Sequence, residues 1–243
     1  PKDYFLSRWY ISTMSLEKAL VTGSTTGIGK ETAKGLAEEG MSVVLHGRDE
    51  ERGMEALHEI EDETGNDSHD LLLADFSSFD EVRELADKIR EEHGDLDVLI
   101  NNAGAWFSKR RLNEDGIELT FVVNQLSQFL LTDLVLDVLK ENAHSRIVNV
   151  ASGAHDGAEL ELDKLTGSEG PGGYMAYKQS KLAFIMFTYD LAERLEGTGI
   201  TVNCLHPGSV RTRLGRDYSI LGFFWEHLPF LKSPKKGAET SIY

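Results

Sequence analysis

Six short apolar runs, each followed by a longer segment with apolar residues at helical spacing, constrain the fold of this chain most strongly. The runs are KALVTG, MSVVLHG, DLLLAD, LDVLINNAG, SRIVNVAS and GITVNCLHPG. They are continuously apolar rather than alternating, which suits strands buried on both faces, and the segments between them suit covering helices. The pattern therefore predicts a single α/β domain built on a doubly wound parallel sheet with helices on both faces.

The 243 residues are 40% apolar, which is enough for one substantial core. We place the domain at residues 14–243. Residues 1–13 match no predicted element and are interpreted as an N-terminal extension. The last segment, SPKKGAETSIY, begins like a helix, with an N-cap serine followed by proline.

Charge and cysteine content exclude several classes of function. The formal net charge of −16 removes the attraction that drives binding to nucleic-acid phosphates and anionic membranes, so we expect neither partner. Cys204 is the only cysteine, no apolar run is long enough to span a membrane, and no signal peptide is recognisable, so a cytoplasmic location is expected. The eight histidines form no metal-binding pattern, and no metal is predicted.

A glycine cluster follows the first predicted strand. In TGSTTGIGKE, glycines at 23, 27 and 29 stand where the strand gives way to a helix, which favours a pyrophosphate bound at the helix N-terminus. A P-loop is disfavoured because Lys30 lacks the required spacing and is followed by Glu31.

Five motifs in order carry a family resemblance: TGSTTGIG, then NNAG at 101–104, Ser152, YKQSK at 177–181 and HPG at 206–208. From about residue 16 to 215 the chain resembles the short-chain dehydrogenase/reductase family, and most of all its retinol-dehydrogenase-like members. The resemblance implies a Rossmann-type fold, a nicotinamide cofactor, and redox chemistry between carbonyl and alcohol.

Two tyrosines are candidates for the proton donor. Tyr174 and Tyr177 each precede a lysine by four positions, Lys178 and Lys181, which places each pair on one helix face. A lysine there can help to lower the pKa of a tyrosine, ordinarily about 10, towards neutrality. The spacing leaves both pairs open. The resemblance selects Tyr177 and Lys181, because with Ser180 they match the family's Tyr-x-x-Ser-Lys pattern.

The same resemblance assigns two further catalytic residues. Ser152 would hydrogen-bond the substrate oxygen, although a serine at a strand end is ordinarily only a cap. Asn124 would support a water-linked proton relay to the lysine. The alternative for Asn124 is a structural hydrogen bond within its helix.

The cofactor is predicted to be NADP(H) rather than NAD(H). Arg48 follows the second strand, where enzymes that prefer NAD commonly place an acidic residue, and a guanidinium there can clamp a 2′-phosphate. The alternative is a solvated arginine. Asp75 would hold the adenine ring or cap the next helix. The remaining cofactor residues implied by the resemblance are Gly23, Thr25, Thr26, Gly27, Ile28, Gly29, Asn101, Ala103, Gly104, Tyr177, Lys181, Pro207, Gly208, Val210 and Thr212.

The segment of about 211–232 is predicted to cover the substrate. Its apolar stretch SILGFFWEHLPFL favours a lipophilic aldehyde, ketone or alcohol, while core packing, a subunit contact or a membrane-surface patch would give the same composition. A homodimer or homotetramer formed through residues 115–140 and 175–195 is plausible by resemblance. Two other functions stay open: reduction of a carbon–carbon double bond, and a non-catalytic NADP(H)-binding regulatory protein.

Overall fold

All six predicted runs form strands in the computed structural model, which describes residues 17–142, 144–167, 169–210 and 231–242. The strands are β1 (Lys18–Val21), β2 (Ser42–Gly47), β3 (Asp70–Leu73), β4 (Leu96–Asn101), β5 (Arg146–Val150) and β6 (Thr201–Leu205). Every neighbouring pair is parallel, and the order across the sheet is β3-β2-β1-β4-β5-β6. The predicted doubly wound parallel sheet is confirmed.

Helices connect the strands. Within the described ranges they are α1 (Gly27–Glu38), α2 (Glu50–Thr64), α3 (Phe79–Glu92), α4 (Leu119–Phe121), α5 (Ser127–Leu134), α6 (Leu136–Glu141), α7 (Leu162–Leu165), α8 (Gly173–Arg194) and α9 (Pro234–Ile242). A π-helical turn, Val122–Leu126, joins α4 to α5, and a 3₁₀ turn, Gly153–His155, follows β5. No helix in this described part of the chain combines the length and apolarity needed to cross a membrane.

The sheet is buried on both faces, as its continuous apolar strands require. In β1, Leu20 packs into one core cluster, while Ala19 and Val21 pack into the cluster on the opposite face, and all three are fully buried. Burial of a leucine-sized side chain stabilises the fold by about 1.5–3 kcal/mol. These two clusters fix the register of the strands and therefore the position of their carboxyl ends.

The direction of winding reverses at β1. The chain moves from β1 to β2 and β3 on one side, and then returns to place β4 on the other side of β1. At such a switch point the loops after the two central strands diverge and leave a crevice at the carboxyl edge of the sheet. The crevice of this sheet therefore lies between the ends of β1 and β4.

The C-terminal helix forms where the sequence predicts it. Ser233 caps α9 by accepting a hydrogen bond from the Lys236 amide at 3.2 Å. Helix α9 packs against α1, where the Ile242 side chain lies over Gly35. Residues 1–13, and most of the predicted substrate-covering segment of about 211–232, lie outside the described ranges.

Candidate active site

The glycine loop fills the turn between β1 and α1 with backbone rather than side chains. Gly23 has a φ of +64°, and a Cβ there would lie 2.8 Å from the Ala103 Cα. Gly27 has a φ of +63°, and a Cβ there would meet no atom within 4 Å. Gly23 is therefore required by the protein's own packing, whereas Gly27 borders open space that a ligand can enter.

Helix α1 presents unsatisfied amides to that space. Its N-cap residue, Thr26, has extended backbone and makes no side-chain capping bond. The first N–H groups of a helix carry partial positive charge and favour an anion. Among the other predicted loop residues, Thr25 lies against Gly47, Ile28 approaches Gly237 of α9, and Gly29 is buried in the first turn. The loop fits the diphosphate of a dinucleotide.

His46, near the end of β2, holds this loop in place and was not singled out from the sequence. Its Nδ1 accepts a hydrogen bond from the Gly23 amide at 3.1 Å, and its Nε2 lies 3.2 Å from the Ala74 carbonyl oxygen. These partners define one tautomer, with the proton on Nε2 donated to Ala74. The His46 amide also donates to Ser24 Oγ at 2.9 Å. One buried imidazole thus ties the glycine loop to the ends of two strands.

Burial keeps His46 neutral. The imidazole is 97% buried, with its ring 4.5 Å from the Phe76 ring between centroids. Desolvation lowers the pKa of His46 from 6.5 to about 4, against smaller opposing effects of the Ala74 carbonyl and the Asp75 carboxylate. A histidine that follows an apolar strand run was the available sequence signal, but only the tertiary contacts reveal its partners.

Arg48 and Asp75 face each other across the ends of β2 and β3. The Arg48 guanidinium Nη1 lies 3.2 Å from Asp75 Oδ2, and the arginine side chain is 64% exposed. Asp49, the other acidic neighbour, caps α2 by accepting from the Arg52 amide and is paired with the Arg52 side chain. The exposed guanidinium therefore stands at the rim of the crevice.

Asp75 does not cap the following helix, which corrects one of its two predicted roles. The N-cap of α3 is Ser78, whose hydroxyl accepts from the Glu81 amide at 3.4 Å. Asp75 instead closes a local turn by accepting from the Ser77 amide at 2.9 Å. Aspartate usually forms turns in this way, by accepting a hydrogen bond at its side chain from the backbone amide two residues ahead.

The segment after β4 divides into structural and site-facing residues. The Asn101 side chain is fully buried within the sheet, where its amide donates to Thr132 and Asn149, each at 2.9 Å. The predicted cofactor contact of Asn101 is therefore not available to its side chain. Asn102, which was not predicted, donates to the Thr22 carbonyl at 2.8 Å and so anchors the glycine loop. Ala103 packs against Gly23, and Gly104 is exposed.

Tyr177, Ser152 and Lys181 meet at the carboxyl end of β5. Tyr177 lies one turn inside α8 and is 9% exposed, whereas Tyr174 is 50% exposed. Ser152 follows β5, and its hydroxyl is close enough to Tyr177 to act on the pKa of the tyrosine. Lys181 is buried, and its Nζ donates to the Val150 carbonyl at 2.8 Å. The geometry places Tyr177, not Tyr174, with the serine and the lysine.

The pKa values of Tyr177 and Lys181 show that burial dominates at this site, and the Tyr177 shift differs from the one expected from the sequence. Burial raises the pKa of Tyr177; the nearby Ser152 hydroxyl opposes this rise and Tyr174 adds to it. Burial also lowers the pKa of Lys181 to about 8. The expected lowering of the Tyr177 pKa by Lys181 is not found within the protein, because desolvation dominates and the ammonium is directed to a backbone carbonyl.

Asn124 lies in the π-helical turn, and its side chain has a structural role. The amide nitrogen donates to the Ala105 carbonyl and to Ser180 Oγ, both at 3.0 Å, while the side-chain oxygen accepts from the Ala105 amide at 2.7 Å. Single π-turns within α-helices are frequent at functional sites. These bonds are structural but join the helix to the loop after β4 and to α8, in place of the expected bond within the helix, and the proton relay stays a prediction.

The segment after β6 contacts the turn that follows β5. His206 Nδ1 accepts from the Gly153 amide at 3.1 Å, which fits the structural role expected for it. Pro207 is half-buried, and Gly208 has a φ of +87°. Val210 is buried and contacts Gly237 of α9. Thr212 lies outside the described residues.

One group of possible metal ligands lies away from this site. Asp70, Glu92 and His93 come within reach of one another near the amino ends of β3 and β4. His93 Nε2 lies 3.2 Å from Asp70 Oδ2, and the two carboxylate residues are exposed. The group is at the sheet edge opposite the glycine loop, and the expectation that the chain needs no metal stays a prediction.

The strand order and the glycine loop at the switch point define a Rossmann-type α/β protein. Residues 17–219 match the family model described as short chain dehydrogenase. Mouse Retinol dehydrogenase 11 is 42% identical over 226 residues, which cover 93% of this chain and 72% of that protein. Human Retinol dehydrogenase 13 is 42% identical over 243 residues, with 96% and 72% covered.

Solved structures agree with these relatives. An actinorhodin polyketide ketoreductase variant with NADPH has a TM-score of 0.74 at 31% identity, covering 94% of this chain and 89% of its own. An alcohol dehydrogenase from the archaeon Thermococcus sibiricus, complexed with 5-hydroxy-NADP, has a TM-score of 0.74 at 25% identity and the same coverage. The chain belongs to the short-chain dehydrogenase/reductase family, is retinol-dehydrogenase-like, and is an alcohol/carbonyl oxidoreductase.

Proposed function

We propose that this enzyme interconverts a lipophilic aldehyde or ketone and its alcohol with NADP(H), and that Tyr177 is the general acid and base. The observation that carries the proposal is the buried Tyr177 beside Ser152, with Lys181 one turn along the same helix. A general acid at such a position accelerates a reaction by roughly 10²–10⁴-fold.

Each residue of the chain has a separable task in this proposal. Ser152 orients the substrate oxygen towards Tyr177, and Tyr177 donates its proton to that oxygen as negative charge develops there. Lys181, charged near neutral pH, stabilises the tyrosinate that is left. The glycine loop and α1 bind the diphosphate of the cofactor, which supplies the hydride when bound.

Features of the chain and of its structural relatives support NADP(H) over NAD(H). Arg48 is an exposed cation at the end of β2, its neighbour Asp49 is occupied in capping α2, and a guanidinium suits a phosphate. The Asp75 carboxylate beside it can hold the guanidinium at the rim in the absence of an anion. Two of the structural relatives were also crystallised with NADPH or a 5-hydroxy-NADP.

The experiment that tests the proposal compares wild type, Tyr177→Phe and Tyr174→Phe. NADPH consumption is measured over a panel of aldehydes and ketones, and cofactor binding is checked in each variant. We expect turnover to fall by at least about 100-fold in Tyr177→Phe with binding intact, and to persist in Tyr174→Phe. Loss confined to Tyr174→Phe would refute the assignment.

Product analysis separates the two reductive chemistries. With an α,β-unsaturated aldehyde, reduction of the carbonyl gives the unsaturated alcohol, whereas reduction of the carbon–carbon bond gives the saturated aldehyde. We expect the alcohol. The lipophilic preference rests on the relatives named for retinol and on the apolar segment 219–231, and faster turnover of small polar carbonyls would contradict it.

A homodimer is part of the proposal. Phe129 on α5 and Met186 and Tyr189 on α8 are large apolar side chains that are 38%, 53% and 73% exposed. They lie on the two helices through which the resemblance predicts pairing, and burying such a patch favours association. The single-domain extent of 14–243 and the cytoplasmic location stay predictions from the sequence.

A further inference from the structure

Three aromatic rings are in mutual contact at the reacting end of the site. The ring centroids of Trp106 and Tyr174 are 5.5 Å apart, those of Trp106 and Tyr177 are 6.1 Å apart, and those of the two tyrosines are 6.2 Å apart. The interplanar angles are 58°, 34° and 24° respectively. These distances lie in the range of favourable aromatic pairing. The proton transfer needs only Tyr177, so the other two rings require another explanation.

The backbone brings Trp106 to Tyr174 by a close approach of two segments. The loop after β4 packs against the start of α8, where a Cβ on Gly172 would lie 2.6 Å from the Arg110 amide nitrogen. Arg110 Nη1 also donates to the Pro171 carbonyl at 2.8 Å. Gly172 therefore permits this close approach, which brings Trp106 and Tyr174 together.

The three rings, which include the proposed proton donor Tyr177, differ in their exposure to solvent. Tyr177 is almost buried, Trp106 is partly buried, and Tyr174 is 50% exposed. A carbonyl oxygen within hydrogen-bond reach of the Tyr177 hydroxyl necessarily brings its substituents close to this surface. Aromatic side chains offer a large, flat, rigid area at low entropic cost, and they prefer a flat partner.

We propose that Trp106 and Tyr174 are specificity-determining residues, forming with Tyr177 an aromatic wall that stacks against a flat aromatic ring attached to the substrate carbonyl. The inference rests on the proposed role of Tyr177 and adds a substrate class, the aryl aldehydes and aryl ketones. One added aromatic contact contributes about 0.5–1.5 kcal/mol, so each ring favours an aryl substrate by roughly 2- to 13-fold.

The first test compares benzaldehyde with cyclohexanecarboxaldehyde, which has a ring of similar size that is saturated and puckered. The ratio of their kcat/KM values with NADPH is measured in wild type, Tyr174→Leu, Trp106→Leu and Met175→Ala. Met175 is the matched control, because it lies in the same helical turn and is 49% exposed. Differences in intrinsic reactivity cancel when the ratio of a variant is divided by that of wild type.

We expect the ratio to fall by roughly 2- to 13-fold in each leucine variant, mainly through KM, and to be unchanged in the control. An unchanged ratio in Tyr174→Leu and Trp106→Leu would overturn the proposal. An equal fall in the Met175→Ala variant would also overturn it, since the effect would then come from the helix start and not from the rings.

A binding measurement separates this proposal from the proposed function. In Tyr177→Phe the ring is kept while the acid is removed, so the Kd of each aldehyde in the presence of NADPH reports stacking without turnover. Tighter binding of benzaldehyde that is lost on adding Tyr174→Leu supports the wall, even if wild type shows no turnover and the reductase proposal fails. Equal Kd values for the two aldehydes, or no binding of benzaldehyde, would overturn the proposal of an aromatic wall.

Discussion

The stability of this enzyme should depend on pH through His46. The folded chain buries the neutral imidazole and lowers the pKa of His46 from 6.5 to about 4. In the unfolded chain the same imidazole takes up a proton below about pH 6.5. Between these values the unfolded state binds more protons, so the free energy of unfolding falls as the pH falls.

The magnitude follows from the shift in the His46 pKa. A shift of one unit corresponds to about 1.4 kcal/mol, so His46 contributes a loss of roughly 3 kcal/mol between pH 6.5 and pH 4. Roughly 2 kcal/mol of this loss falls between pH 6.5 and pH 5. The protonated ring would also place a second donor against the Gly23 amide, so the loop should loosen when His46 is charged.

The assay is urea unfolding of wild type and His46→Asn at pH 7, 6 and 5 and constant ionic strength. Asparagine cannot titrate, so the difference in unfolding free energy between the two proteins isolates His46 from the other histidines. We expect wild type to be more stable at pH 7, and its advantage to shrink by about 2 kcal/mol at pH 5. His58→Asn, an exposed position on α2, controls for the loss of an imidazole. A difference that is constant with pH would refute the reasoning.

Four other outcomes are expected. Arg48→Ser should raise the KM for NADPH by roughly 10- to 100-fold, the value of a charged hydrogen bond, and equal changes for NADH would argue against a phosphate contact. Gly27→Ala should cost only about 1 kcal/mol in a thermal melt yet lose stabilisation by NADPH, whereas Gly23→Ala should unfold much more readily. Tyr189→Glu should convert a dimer to a monomer by light scattering, and a monomeric wild type would contradict this interface. Alcohol oxidation should rise between pH 6 and pH 9 while reduction changes little, and identical profiles would argue against Tyr177 as the proton carrier.

The fold could be predicted from the sequence because its main determinant is local. Each strand is a continuous apolar run, and burial on both faces leaves a parallel sheet with flanking helices as the stable arrangement. The glycine loop was also readable, since the positive φ of Gly23 and Gly27 requires glycine at those positions. Contacts between segments that are distant in the sequence could not be predicted in this way.

Asn101 and His46 show contacts that the sequence did not reveal. The NNAG motif drew attention to Asn101, but the sheet takes that side chain inward to Thr132 and Asn149, and Asn102 contacts the glycine loop instead. His46 stood unnoticed in an apolar strand, because its importance comes from Gly23 and Ala74, which are 23 and 28 positions away. A motif identifies a segment, and the alternation of side chains along a strand then decides which residue faces the site.

Burial also distinguishes the two tyrosine–lysine pairs at the start of α8. Tyr177 lies inside, where desolvation raises its pKa, so near neutral pH it keeps its proton, as the proposed role of general acid requires. In the proposed mechanism, alcohol oxidation needs the tyrosinate, which this burial disfavours. Tyr174 lies outside, against Trp106, where its half-exposed ring can contact a substrate. The same four-residue spacing therefore gives one buried tyrosine, to which the proposed function assigns the proton, and one exposed tyrosine, to which the further proposal assigns contact with the substrate.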